Sequence, residues 1–340
     1  MKITIHDVAR RAGVSTATVS LVLHNKRKIS EETRKRVLKA IQELNYHPSQ
    51  VARGLVLKQT GNIGFVLTED HFLRTEPFYT RIFLGTEFEA RDSNYFVLLA
   101  TIPNDFFDDT PLPRFVMQQN VDGIIIAGKV PLKFLDKLRS YNFPLVFVDY
   151  YPPRGTYSAV LIDNIRGGMI ATDHLIELGH QKIAFIGGDL QHPSISERYL
   201  GYKLALEKHG LAYDADLVVT GEQSTSKENG YRAVCALLDK KTEFTALFAC
   251  NDAMAMGAME CLKKRGIKIP EQVSIVGFDD IEQDAFLDPP LTTIAVPKPD
   301  LGIEAMKLMQ DILNKNIRTN KKVLVPVELV VRKSTTRLRD

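Results

Sequence analysis

From residue 62 onwards, short apolar runs alternate with longer stretches in which apolar residues recur every three or four positions. The short runs predict strands, and the longer stretches predict amphipathic helices. Because strand and helix alternate, we expect an α/β fold of doubly wound parallel sheets with helices on both faces. The strands form two series, which predicts two similar lobes that hold a ligand at the carboxyl ends of their strands. The predicted strands are 63–67, 95–100, 123–127, 145–148, 160–162, 182–186, 217–219, 246–250 and 273–277.

The first 47 residues follow a different pattern, with three short helical segments. Thr4 is positioned to cap the first helix, and Gly13 supplies a tight turn. Ser15 can cap a second helix over 16–23, and a third helix begins after Ser30. Two short helices joined through glycine are typical of a helix-turn-helix unit. The sequence therefore predicts a small all-α head in front of the two lobes.

Charge is divided unevenly along the chain. The formal net charge of the whole protein is +3, but residues 1–60 carry +8 and the remaining 280 residues carry −5. A basic head on an acidic body indicates a nucleic-acid-binding module joined to a domain with another task. Six cations that surround the second helix can neutralise phosphates, namely Lys26, Arg27, Lys28, Arg34, Lys35 and Arg36.

The composition is that of a soluble globular protein, with 44% hydrophobic and 25% charged residues. The N-terminal residues are charged where a secretory signal would be apolar, and no apolar run is long enough to span a membrane. The three cysteines are odd in number and widely spaced, which argues against a disulfide framework. We therefore expect a reduced, cytoplasmic protein that associates with the nucleoid and has no membrane partner.

Motifs that could indicate an enzyme are incomplete. Residues 123–129 fit most of a phosphate-binding loop, but Val130 replaces the Ser or Thr that would bind magnesium. Residues 224–227 fit a Ser-x-x-Lys motif without the partner motifs of an acyl enzyme. Histidines and cysteines do not occur at metal-binding spacings. We expect no enzymatic activity, no cofactor and no metal site.

A series of short motifs runs along the whole chain. In the head they are 5–15 (Ile-His-Asp-Val-Ala-Arg-Arg-Ala-Gly-Val-Ser), 17–20 (Ala-Thr-Val-Ser), 33–34 (Thr-Arg), 44–48 (Leu-Asn-Tyr-His-Pro) and 51–55 (Val-Ala-Arg-Gly-Leu). In the body they are 121–124 (Val-Asp-Gly-Ile), 163–164 (Asp-Asn), 178–180 (Leu-Gly-His), 183–188 (Ile-Ala-Phe-Ile-Gly-Gly), 251–252 (Asn-Asp), 277–280 (Gly-Phe-Asp-Asp) and 290–293 (Pro-Leu-Thr-Thr). In this combination and order the chain resembles the lactose/galactose repressor family of bacterial transcription regulators.

The resemblance implies a body like that of periplasmic binding proteins and a homodimer on near-palindromic operator DNA. We expect the helix-turn-helix head at 1–47, a hinge helix and linker at 48–60, and an effector-binding and dimerisation domain at 61–340. Within that domain the N-lobe is expected at about 61–161 and 292–322, and the C-lobe at about 162–291 and 323–340.

The resemblance also assigns residues to the DNA interface. The positions that match the family's base readers are Thr16, Ala17 and Leu21. The positions that match its phosphate contacts are Ser15, Thr18, Ser20, His24, Asn25 and Ser30. Most members of the family carry arginine where this chain has Leu21, and leucine cannot make the bidentate contact to guanine.

The hinge is implied to fold on operator DNA. Gly54 weakens a short helix that is marginal on its own, so this helix is expected to order only against a partner. Val51, Ala52 and Leu55 match the hinge residues at the minor groove, where Leu55 corresponds to the leucine that wedges between base pairs. Val56 stands where the family usually has alanine.

An effector site is implied between the lobes. The matching positions are Thr68, Phe78, Tyr79, Asp149, Arg198, Asn251 and Asp279. Two carboxylates, a guanidinium and an amide suit a ligand rich in hydroxyl groups, such as a sugar. Thr225 lies near the position where relatives place a stacking aromatic ring, and purine-like or phosphorylated effectors are alternatives.

We therefore predict a sequence-specific DNA-binding regulator, a repressor, controlled by a sugar-like effector. The alternatives are a solute-binding transport component with the same two-lobed body and a purine-responsive or nucleoside-responsive regulator of the corepressor type. An architectural DNA-binding protein that responds to no effector is a further possibility, distinguished by failure to bind any ligand in the cleft.

Overall fold

A computed structural model describes residues 3–23, 29–46, 59–73, 78–152, 155–222, 224–317 and 319–338. It divides the chain into two compact units, residues 1–61 and 62–340. The predicted hinge helix, with Val51, Ala52 and Leu55, lies outside the described residues, as do His24 and Asn25.

The described residues of the first unit form three helices: α1 (Ile5–Ala12), α2 (Thr16–Leu23) and α3 (Glu31–Glu43). Their small apolar faces form one core, made of Val8, Ala9, Ala12, Val19, Val22, Val37, Ala40 and Tyr46. Gly13 ends α1 with φ of 64°, a left-handed conformation that costs glycine little. The helical head predicted from the sequence is confirmed.

Side chains support the start of each helix, and Ser15 caps α2 as predicted, whereas at α1 it is Asp7 and not the Thr4 hydroxyl that accepts the hydrogen bonds. The Asp7 carboxylate accepts hydrogen bonds from the backbone N–H of Thr4 at 3.0 Å and from its hydroxyl at 2.7 Å. Ser15 Oγ accepts from the N–H of Thr18 at 3.2 Å, and Ser30 Oγ accepts from the N–H of Thr33 at 3.3 Å. Each cap satisfies a backbone donor that the helix itself leaves unpaired.

The second unit is built on two six-stranded sheets. The N-lobe sheet has the order β11-β5-β4-β3-β1-β2, with β1 Asn62–Thr68, β2 Phe96–Ile102, β3 Gly123–Ala127, β4 Leu145–Val148, β5 Ser158–Ile162 and β11 Lys322–Val325. The C-lobe sheet has the order β12-β10-β9-β8-β6-β7, with β6 Ile183–Gly188, β7 Val218–Glu222, β8 Ala246–Ala249, β9 Ser274–Asp279, β10 Thr292–Ala295 and β12 Glu328–Val330. The strand pairs are parallel except β10 with β12. The predicted two-lobed α/β body is confirmed.

Nine α-helices are described in this unit: α4 Glu69–Leu73, α5 Phe78–Asp92, α6 Arg114–Met117, α7 Leu132–Arg139, α8 Asn164–Glu177, α9 Pro193–Lys208, α10 Lys227–Asp239, α11 Asp252–Lys264 and α12 Lys298–Leu313. Short 3-10 helices occur at Ala215–Leu217 and Glu282–Phe286. Among the described helices, none combines the length and the apolar character that a membrane crossing requires.

The chain crosses between the lobes at places that differ from the prediction. Residues from 292 were assigned to the N-lobe, but β10 pairs with β9 in the C-lobe sheet. Residues from 323 were assigned to the C-lobe, but β11 pairs with β5 in the N-lobe sheet. A short apolar strand has the same sequence pattern whichever sheet it joins, so the pattern could not place these two strands.

The sequence argued against a disulfide framework and for a reduced protein, but two of the three cysteines are paired in the structure. Cys235 of α10 and Cys261 of α11 form a disulfide, with Cα atoms 6.3 Å apart. The two helices approach closely because Gly230 and Gly257 lie where they cross, and a Cβ at either position would collide with a backbone carbonyl of the other helix. Only this packing brings together two cysteines that are 26 residues apart.

Candidate effector cavity and DNA-contacting head

A cavity of about 390 Å³ opens between the two lobes. Its walls come from segments that follow the carboxyl ends of strands in both sheets, the position at which ligands bind in doubly wound folds. All seven predicted effector residues line it, namely Thr68, Phe78, Tyr79, Asp149, Arg198, Asn251 and Asp279. The structure therefore brings together residues that are more than 200 positions apart in the chain.

Aromatic and acidic side chains meet on the N-lobe wall. The Tyr79 hydroxyl donates a hydrogen bond to Asp149 Oδ2 at 2.9 Å, and its ring stacks on His71 with centroids 4.4 Å apart. The Phe78 ring meets Tyr79 edge-on at 5.1 Å. Gly128 lies behind this group at φ of 75°, and a Cβ there would collide with the His71 ring. Glycine at this position therefore makes room for the aromatic wall.

Arg198 is the centre of the C-lobe wall. Its Nε donates to Asn164 Oδ1 at 2.9 Å, and one terminal nitrogen donates to the carbonyl oxygen of Cys250 at 2.6 Å. The other terminal nitrogen pairs with Asp279 at 3.3 Å, and the guanidinium lies 3.6 Å from the centroid of the Phe278 ring. Arg198 and Asp279 are both buried, and each compensates the charge of the other in a region that is shielded from water.

Two of the four aspartates that line the cavity have uncommon backbone conformations. Asp149 has φ of 61° and Asp279 has φ of 114°, values that are unfavourable for residues with a Cβ. Such strain persists only where surrounding contacts impose it, and it clusters at ligand sites. Both carboxyl groups therefore have fixed positions at the cavity.

Asn251 has a structural task besides lining the cavity. Its Oδ1 caps α11 by accepting from the N–H of Met254 at 2.9 Å, and its Nδ2 donates to the carbonyl oxygen of Thr225 at 3.1 Å. Its amide therefore holds two cavity segments together. Cys250, the preceding residue, is fully buried, and burial raises the pKa of its thiol to about 11, so the thiol stays protonated at neutral pH.

Sequence reasoning missed further polar residues of the lining. Asp70 accepts a hydrogen bond from Asn104, and Ser194 bonds His192 Nδ1 at 2.7 Å. The others are His71, Lys129, Asp189 and Ser224. Their position just beyond a strand was the available signal, because the carboxyl ends of parallel strands share one edge of the sheet.

The head presents the predicted DNA-contacting positions on and beside α2. Ala17 and Leu21, one turn apart, are exposed, and Thr16, Thr18 and Ser20 are half-buried. Ser15 and Ser30 are exposed cap residues. Lys35 and Arg36 are exposed on α3, whereas Lys26, Arg27 and Lys28 lie outside the described residues.

Comparison with known proteins identifies both the helical head and the two-lobed body. Residues 4–49 match the model of bacterial regulatory proteins of the lacI family, and residues 172–335 match a periplasmic binding protein-like domain. The chain is 35% identical over 333 residues to the transcriptional repressor PurR of Pasteurella multocida, covering 97% of this chain and 98% of the relative. It is 34% identical over 337 residues to the ribose operon repressor of Haemophilus influenzae, covering 99% of each.

Solved structures of transcription regulators resemble this chain over nearly its whole length. The regulator CelR in complex with cellobiose has a TM-score of 0.73 at 31% identity, with 98% of this chain and 100% of that chain covered. The lac repressor dimer bound to operator and the anti-inducer ONPF has a TM-score of 0.76 at 27% identity, with coverage of 99% and 100%.

A helix-turn-helix head joined to a two-lobed ligand-binding body defines a class of DNA-binding regulators. The chain belongs to the lacI family of bacterial regulatory proteins. The predicted family and the predicted function as a DNA-binding transcriptional repressor are confirmed.

Proposed function

We propose that two copies of the protein bind a near-palindromic operator and that a small molecule in the lobe cavity controls this binding. One observation carries the proposal: the seven effector positions implied by the family resemblance converge on a single cavity in a chain that also has a helix-turn-helix head. A ligand that prefers one arrangement of the lobes shifts the population toward it, and with it the affinity for DNA. The head, which matches the family at residues 4–49, favours this function over solute transport.

Recognition of the operator sequence is assigned to the exposed face of α2. Thr16, Ala17 and Leu21 would meet base edges in the major groove, since small residues allow the helix to approach closely. Contacts to phosphates would orient the head on the DNA without distinguishing one base from another. They are assigned to Ser15, Thr18, Ser20, His24, Asn25 and Ser30. In the hinge, Val51, Ala52 and Leu55 would enter the minor groove, with Leu55 as the wedge.

Leu21→Arg tests the assignment of the base-reading face. An arginine at an exposed position of this face can donate two hydrogen bonds to a guanine, so we expect about 1–3 kcal/mol of new preference for guanine at one symmetric pair of operator positions. The measurement is selection of binding sites from random duplexes by both proteins. Leu38→Arg, at a position of α3 that is 50% exposed, adds the same charge and is the matched control. If Leu21→Arg selects the same sites as the unmodified protein, position 21 does not face a base.

The homodimer is assigned to one edge of the N-lobe. Leu84 and Phe88 are exposed one turn apart on α5, and Phe96 and Leu99 are exposed on the two faces of the neighbouring strand β2, which lies at the edge of its sheet. Single exposed apolar side chains are normal on a monomer, but four large ones on two elements in contact indicate a surface that a partner covers. A second copy that presents the same edge would cover them with two-fold symmetry, which matches a palindromic operator.

A further inference from the structure

Two carboxyl groups are fully buried in the C-lobe, close in sequence to residues that line the cavity. Asp252 is the first residue of α11 and follows Asn251, and Asp284 lies in the 3-10 helix Glu282–Phe286, in the segment that follows Asp279. Both carboxyl side chains are inaccessible to solvent. A carboxyl group at such a position is either paired with a cation or protonated, so its surroundings determine its charge.

One backbone N–H joins the two carboxyl groups. The N–H of Ile281 donates to Asp252 Oδ2 at 3.2 Å and to Asp284 Oδ2 at 3.0 Å. The Thr293 hydroxyl donates to the other oxygen of Asp252 at 2.5 Å. Two buried carboxyl groups that accept from the same donor lie too close together for both to be ionised, and such a pair shares a proton.

The charged groups around the pair do not neutralise it. Among the residues that the structure describes, no cation forms an ion pair with either carboxyl group. The charged groups that act on the pair are Asp279 at the end of β9, Asp280 after it, and Arg332 of the C-terminal segment, which is bound to Asp280 at 2.6 Å. Asp284 Oδ1 is buried and has no hydrogen-bond donor among the described residues. These surroundings favour the protonated forms.

The acidity of the two groups follows from these surroundings. Burial, and after it the charge of Asp284, raises the pKa of Asp252 well above its usual range. Burial also raises the pKa of Asp284 to about 6 from an ordinary value of 3.8. The pair therefore keeps one proton at neutral pH and takes up a second one in mildly acidic solution.

The segment 279–284 connects the pair to the cavity. Asp279 lines the cavity, and Ile281 donates to both carboxyl groups. Asp279 and Asp280 have φ of 114° and 52°, conformations that persist only where surrounding contacts impose them. Lys298 Nζ, at the start of α12, donates to the carbonyl oxygens of both residues. The contacts made by the carboxyl pair are thus one of the restraints on a segment of the cavity wall.

We propose that Asp252 and Asp284 form a proton-responsive switch, which holds segment 279–284 in place in mildly acidic solution and loosens it as the pH rises. Any local opening that exposes Asp284 to water restores the ordinary acidity of its carboxyl group, so the opening releases a proton. A higher pH therefore favours the opening. Its effect on a ligand in the cavity rests on the proposed function, whereas the switch itself does not.

Thermal unfolding of the full-length protein at pH 5.0 and pH 7.5 tests the switch. Asp284→Asn replaces the acid by an uncharged group of similar size and removes its titration. A pKa that is raised in the folded protein contributes stability at low pH, and this contribution is lost as the pH rises from about 4 to about 6. We therefore expect the Tm of the unmodified protein to fall, relative to that of Asp284→Asn, by at least about 2 °C between the two pH values.

Hydrogen exchange at residues 279–287 measures the opening itself. After correction for intrinsic exchange rates, protection of these residues in the unmodified protein should fall by about threefold to tenfold from pH 5.0 to pH 7.5, without a comparable fall in Asp284→Asn. Asp284→Ser is a second variant, which leaves the N–H of Ile281 bound to Asp252 and should also lack the fall. Asp216→Asn, in the exposed part of the 3-10 helix Ala215–Leu217 of the same lobe, is the matched control and should behave as the unmodified protein does.

The outcomes of these measurements are separate from those for DNA and effector binding. If Tm depends on pH in the same way in the unmodified protein and in both Asp284 variants, or if protection of residues 279–287 in the unmodified protein is equal at the two pH values, the inference is wrong. Neither measurement uses DNA or a ligand, so that result leaves the proposed function in place. Failure of the protein to bind operator or effector would leave the switch in place without its role in regulation.

Discussion

Arg198→Ala should abolish effector binding while the head still binds DNA. The variant removes the group that holds Asn164, Cys250 and Asp279 in place, and it leaves the Asp279 carboxylate buried without its cation. Removal of one partner of a buried ion pair within a protein costs about 3–5 kcal/mol of stability, and here that cost falls on the cavity wall. We therefore expect calorimetry to detect no effector binding by the variant, with operator affinity in the absence of effector unchanged.

Two further variants separate loss of the site from loss of the fold. Lys208→Ala removes an exposed cation from the same helix, where surface ion pairs contribute little, and should bind effector normally. Asp279→Asn removes the carboxylate charge at nearly constant volume, and should lose effector binding while unfolding as cooperatively as the unmodified protein. Unchanged effector affinity in Arg198→Ala would show that the cavity is not the effector site.

If the protein is the dimer proposed above, Phe96→Asp combined with Phe88→Asp should convert it to a monomer. The two rings are 59% and 48% exposed on neighbouring elements of the N-lobe, and a carboxylate buried in an apolar interface carries a large desolvation penalty. A monomer engages only one half-site, so the gain from linking two heads, about 10²–10⁴ in affinity, is lost. Sedimentation velocity and operator titration measure the two effects.

Leu324→Asp is the matched control for the dimer face. Leu324 is 59% exposed on β11, the opposite edge strand of the same sheet, so its replacement should leave both mass and operator affinity unchanged. A double variant that still sediments as a dimer would move the interface elsewhere on the protein.

The order of the main strands along the chain could be predicted from local signals, and seven of the cavity residues were implied by the family resemblance. An apolar run such as 123–127 predicts a buried strand by itself, and a motif such as Gly-Phe-Asp-Asp at 277–280 places Asp279 at the end of one. Strands β10, β11 and β12 were not predicted, because they are only three or four residues long and each offers too few apolar residues to form a clear pattern.

Features that depend on packing between distant segments could not be predicted from the sequence. The Cys235–Cys261 pair requires the close crossing of α10 and α11 at Gly230 and Gly257. The contacts of the three Arg198 nitrogens are made with segments 34, 52 and 81 positions away. The residue types suggested a polar ligand, but only the structure shows that these cavity side chains also bond to one another.

The salt dependence of binding to a palindromic duplex tests the central claim most directly. The duplex is first selected from random sequences by the full-length protein, and its affinity is then titrated between 50 and 200 mM salt. With residues 1–60 carrying a net charge of +8 and two heads bound per duplex, we expect several phosphates to be neutralised and the affinity to fall by about 10³ or more. A selected sequence without two-fold symmetry, or an affinity nearly independent of salt, would contradict the account of a dimeric operator-binding repressor.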